Sequence, residues 1–106
     1  MTDYIEFQGA SGSTYRYLAP DDRTSIRMAG GYVLVGRTDD GPVLLFAGVT
    51  EDLAEGWRDV LGAAQSEHRE VHVFIHRTVA RQAREAELAD ILAAYDPPLN
   101  RAAGAA

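Results

Sequence analysis

The side chains of this chain that could act on a substrate are its tyrosines, histidines, carboxylates and arginines, because cysteine is absent. Without cysteine there is no thiol nucleophile, no thiolate metal site and no disulfide. His72 and His76 share one face of the apolar run VHVFIH, residues 71–76. Four residues along a strand is roughly 13 Å at ~3.3 Å per residue, whereas metal ligands sit about 2 Å from their ion, so the two cannot chelate together. His68 stands apart in a polar stretch, and no histidine metal site is expected. Tyr4, Tyr15 and Tyr17 lie in two short aromatic runs. Aromatics of this kind can stack nucleotide bases. No basic cluster accompanies them, so cross-strand packing is the expectation. Trp57, the only tryptophan, is expected to plug the core.

Charge limits the partners. The 106 residues carry a net charge of −6 and a pI near 4.9. Binding to a phosphate backbone rests mainly on Lys and Arg, so an acidic chain is a poor match for DNA. With 46% hydrophobic and 25% charged residues, the composition is that of one soluble globular domain with a modest core. No apolar run approaches the ~20 residues of a membrane span. MTDYIEFQG lacks the layout of a signal peptide. These features predict a cytoplasmic protein with no membrane partner.

The positioning elements follow from pattern. YIEFQ (4–8) and STYRYL (13–18) around GASG predict a small hairpin. Residues 19–30 read as a connector, where Asp21 and Asp22 offset Arg23 and Arg27. Residues 31–37 and 42–48 predict a central hairpin, apolar on both faces, turning at Thr38-Asp39-Asp40-Gly41-Pro42. Gly48 marks a sharp turn or a close approach. Thr50 is the expected N-cap of a helix carrying Glu51 and Asp52 in its first turn. Leu53, Trp57, Val60, Leu61 and Ala64 make its apolar face. Gly56 and Gly62 weaken that helix by up to ~1 kcal/mol each. Gln65 to Glu70 reads as a polar loop, followed by a strand over 71–76. Thr78 is the expected cap of a second helix reaching about Tyr95, with Leu88, Ile91, Leu92 and Tyr95 facing the core. Arg81, Arg84, Glu85 and Glu87 are expected on its solvated face. Asp96-Pro97-Pro98 ends it. The fold class is therefore α+β: a small central antiparallel sheet flanked by helices, with an added N-terminal hairpin. Residues 1–29 belong to the same domain as 30–100, and 101–106 form a flexible tail.

Several motifs in this order resemble the GIY-YIG nuclease domain. Gly30-Gly31-Tyr32 stands where that family carries Gly-x-Tyr. Phe46-Ala47-Gly48 stands where it carries Tyr-x-Gly, and Val49-Thr50-Glu51-Asp52-Leu53 follows in place of x-Thr-x-Asp-Leu. The ending LADILAAYDPPLN is similar to the family's closing helix and its Pro-Pro-Leu-Asn, including Pro97 and Asn100. The resemblance covers residues 30–100. It implies two tyrosines and an arginine acting on water and phosphate, and a glutamate holding a divalent cation, usually magnesium.

Residue by residue, that machinery is depleted. Tyr32 retains the first tyrosine, whereas Phe46 lacks the second hydroxyl. Gly56 stands at the arginine position and Leu88 at the glutamate position. Arg58 and Glu87 are near in sequence but rotated away on their helices. Losing a phosphate-stabilising cation and a metal-holding carboxylate costs orders of magnitude in rate. The expectation is a catalytically degenerate GIY-YIG-like domain, a binding or structural module without a cofactor, whose partner is a protein or weakly bound DNA. The alternative is a magnesium-dependent endonuclease with displaced residues: Tyr32, Tyr15 or Tyr17, Arg58, and Glu87 or Glu85. An unrelated small protein-interaction domain is the third reading.

Overall fold

In a computed structural model, residues 4–20, 27–68 and 70–104 are described. Arg23 and the rest of the connector over 21–26 lie outside them. The elements are β1 (Tyr4–Gln8), β2 (Thr14–Leu18), β3 (Gly30–Thr38), β4 (Gly41–Thr50), α1 (Arg58–Glu67), β5 (His72–Arg77), α2 (Arg81–Ala94) and α3 (Pro98–Gly104). The five strands form one antiparallel sheet in the order β1-β2-β5-β3-β4. The α+β class is as expected.

β3 is central because it is apolar on both faces. Tyr32 and Leu34 point to the side covered by α1 and Leu99 of α3. Val33 and Val35 point to the side covered by α2, through Ile91 and Leu88. Val33 and Leu34 are fully buried, each contributing about 1.5–3 kcal/mol by leaving water. Leu45 is an extra residue in β4 opposite the Leu34/Val35 step, a bulge that bends the strand. The sheet curls far enough for Ile5 and Phe7 of β1 to line one cleft with Leu44 of β4.

The turn of the N-terminal hairpin is tied to α2 by one carboxylate. Asp90 on α2 accepts hydrogen bonds from the Ser11 amide (2.8 Å), the Ser11 hydroxyl (2.6 Å) and the Tyr15 hydroxyl (2.7 Å). Its own carbonyl accepts from the Ala10 amide. Gly9 is glycine because a Cβ there would collide with this carboxylate. The hydrogen bonds from Ser11 and Tyr15 hold the Asp90 carboxyl below its ordinary pKa.

Several local expectations are corrected. Thr50 is the last residue of β4, not a helix cap: its hydroxyl accepts from the Asp52 amide, and a run of turns delays α1 to Arg58. Leu53 and Trp57 reach the core from those turns, with the indole donating to the Leu53 carbonyl. The expected loop at 65–70 is helical through Glu67. Thr78 does not cap α2, which begins after Ala80 without a side-chain cap. Residues 101–104, expected to be a loose tail, belong to α3. Among the described residues no helix is long and apolar enough to cross a membrane.

β4 is an edge strand, and Asn100 closes part of that edge. Its side chain accepts from the Ala47 amide (2.7 Å) and donates to the Ala47 carbonyl (2.8 Å), pairing as a neighbouring strand would. Removing both bonds at a half-buried position costs about 1–3 kcal/mol. Asn100→Ala is expected to lower stability by that amount in urea denaturation. Gly62→Ala, whose methyl would meet open space on α1, is expected to raise it by about 0.5–1 kcal/mol.

Candidate functional site

The side chains singled out by sequence fall on opposite sides of the sheet. On the α1 side, Tyr32 is buried and its ring stacks on Phe46, with centroids 5.8 Å apart. Gly48 lies directly beneath both rings, and a Cβ there would press on the Tyr32 hydroxyl. Gly48 thus marks a close approach, while the strand itself runs on to Thr50. Burial pushes the Tyr32 phenol above its ordinary pKa, so it is harder to ionise. Arg58 starts α1 on this same side. Its guanidinium is exposed, paired with Glu55 at 3.0 Å and laid over the Trp57 ring. Gly56 packs against Thr50 and offers no functional group.

The α2 side holds a polar cluster centred on Glu87, a residue expected in solvent. Glu87 is 6% exposed, although it was expected on the solvated face; Arg84, expected there too, is also buried. Leu88 is only partly buried, and Leu92 and Tyr95, expected on the core stripe, are exposed. The helical period was right, but the buried stripe is 84, 87, 88, 91 rather than 88, 91, 92, 95. Arg84 donates to the Val79 carbonyl at 2.7 Å, which meets one need of a buried guanidinium. Glu85 stays outside, paired with Arg81.

A buried carboxylate is costly unless it is hydrogen-bonded and paired. Glu87 meets this through His76 near the end of β5 and Thr78 just past it. His76 Nδ1 lies 2.8 Å from Glu87 Oε1. The Thr78 hydroxyl reaches Oε2 at 3.4 Å and His76 Nδ1 at 3.2 Å. Tyr17, buried across the cluster, sets its ring edge-on to His76 with centroids 5.6 Å apart. Burial first, then the charge of Glu87 and a hydrogen bond to it, drive the Tyr17 phenol far above its ordinary pKa. Gly31, paired with His76 across β3 and β5, leaves the space that Tyr17 fills. With a carboxylate as acceptor, Nδ1 carries the proton, so Nε2 is the nitrogen that titrates.

This cluster can hold and exchange a proton, and it locks α2 to β5. The hydrogen bond to Glu87 raises the His76 pKa and outweighs the lowering by burial. Among the described residues, no three His, Asp or Glu side chains lie close enough to hold a metal ion. Tyr15, the other tyrosine considered for chemistry, is engaged by Asp90, which raises its pKa. Pro97 is buried behind the helix stop, and Gly30 packs against the β5 backbone. Sequence reasoning missed His76 and Thr78 as partners of Glu87. The available signal was spacing: Glu87 lies four residues before Ile91 and therefore on the same helical stripe. No protein-family model, curated protein or solved structure matches this chain.

A raised histidine pKa stabilises the fold most when the ring is protonated. That contribution is complete below the unfolded value of about 6.5 and is lost as pH rises through the folded value. The His76 resonance is therefore expected to titrate above 6.5 by NMR, and Tm to fall as pH climbs through that titration. In Glu87→Gln both effects should shrink, with the His76 titration moving down. Tyr17 adds a second decline above about pH 10, where the unfolded chain ionises its phenol and the folded chain does not.

Proposed function

We propose that this chain is a catalytically degenerate GIY-YIG-like domain that serves as a binding module and cuts no nucleic acid. The observation that carries this reading is the separation of its chemistry by the sheet. Tyr32 lies under Phe46 on the α1 side, while Glu87 is committed to His76 and Thr78 on the α2 side. General acid–base catalysis needs the reacting proton within hydrogen-bond reach of its acceptor, and a strand's thickness between two groups forbids that. Arg58, on the Tyr32 side, is already neutralised by Glu55. Phosphoryl chemistry depends on cations converging where charge develops, and these side chains do not converge.

The net charge of −6 favours a protein partner over a phosphate backbone. The resemblance in residues 30–100 supports the scaffold, and the substitutions Phe46, Gly56 and Leu88 support its loss of activity.

Incubation with plain, nicked and branched DNA in magnesium or manganese is expected to leave every substrate intact. Retention on DNA in a gel-shift titration is expected to be negligible at physiological salt. Cleavage abolished by Tyr32→Phe or by Glu87→Gln in a folded variant would overturn the proposal.

A further inference from the structure

The α1 side of the domain carries a groove of about 480 Å³ between α1, α3 and β4. Its floor is apolar: Phe46, Val60, Ala63 and Leu99. Its rim is acidic, through Asp59 and Glu67, and no basic residue lines it. Among the described residues neither carboxylate has an ion-pair partner. Asp59, Ala63 and Glu67 follow one another at four-residue steps on α1. At ~1.5 Å rise per residue the two carboxylates stand about 12 Å apart along one edge, with the small Ala63 between them.

We infer that this groove docks an amphipathic helix of another protein, lying along α1, with Lys or Arg at positions i and i+7 and a large apolar residue between them. The spacing follows from the rim: two helical turns separate i from i+7, about 10–11 Å, which flexible basic side chains extend to match Asp59 and Glu67. The apolar anchor between them meets the gap over Ala63, which is exposed and leaves Phe46 and Leu99 half-covered. Such an occupant combines groove burial with charge complementarity, the usual division between affinity and orientation. A second copy is disfavoured as occupant, because symmetric contact through this face would set its carboxylates against their own duplicates. The inference rests on the binding-module reading and names the surface and partner chemistry for it.

The test uses the full chain and two helical peptides with the same leucine face. One carries lysines at i and i+7, the other glutamates there. Titration followed by NMR is expected to move Phe46, Ala63 and Leu99 with the lysine peptide only. Asp59→Asn with Glu67→Gln should weaken that binding roughly 2- to 30-fold, since two exposed ion pairs are lost at about 0.2–1 kcal/mol each. Asp39→Asn with Asp40→Asn removes the same charge at the distant hairpin turn and should leave affinity nearly unchanged. Ala63→Lys should abolish binding. Equal weakening by the Asp39/Asp40 variant, equal binding of both peptides, shifts confined to another face, or a concentration-dependent dimer in sedimentation would each overturn the inference. No nucleic acid is present, so DNA cleavage seen separately would sink the non-catalytic reading while leaving the docking result to stand or fall alone.

Discussion

Val33 and Leu34 are adjacent in the chain, point in opposite directions, and are both sealed from water. A strand buried on both sides demands a layer on each, and this single constraint organises the domain. α1 and α3 supply one layer and α2 the other. β5 and β4 flank β3, and the N-terminal hairpin extends the sheet beyond β5 through the Leu18–Ile75 pairing. Phe7 and Tyr17 from that hairpin then complete the α2-side core. The hairpin is thus structural to the domain.

Two polar devices finish what apolar burial begins. On the α2 side, Glu87 binds the helix to the end of β5 through His76 and Thr78, while Asp90, three residues on, pins the hairpin turn. A buried carboxylate left alone would be expensive, so each of these partners is required. On the α1 side, Asn100 supplies a side-chain amide to an edge strand whose Ala47 backbone groups would otherwise seek another chain. These devices also use up a reactive side chain: the Glu87 carboxylate, which could have served a substrate, is turned inward.

That inward use is what makes the functional reading a binding one. Tyr32 and Arg58 belong to the α1 side of the sheet and Glu87 to the α2 side. What remains outward on the α1 side is an apolar groove with an acidic edge, a surface suited to recognition.

Short runs rich in β-branched and aromatic residues, YIEFQ, STYRYL, GGYVLVGR, VLLFA and VHVFIH, each bounded by turn or polar residues, were enough to identify the strands, because strand signals of this kind are local. The Asp96-Pro97-Pro98 stop was equally legible, since proline's constraint is local. The start of α1 was not: Thr50 is a good cap by type, yet its hydroxyl holds a turn closed at the end of β4. The face that α2 buries was also hidden. Arg84 and Glu87 count as surface residues until a histidine eleven positions earlier and a threonine arrive to pair with the Glu87 carboxylate, and the Val79 carbonyl to accept from Arg84. The sequence by itself determined which segments are extended, where the turns between them fall and that β3 is apolar on both faces, because those follow from neighbours in the chain. Only the tertiary structure decided which side of the sheet each helix covers. That choice put Tyr32 and Glu87 on opposite faces, because alternate residues of β3 point in opposite directions and each helix covers one side.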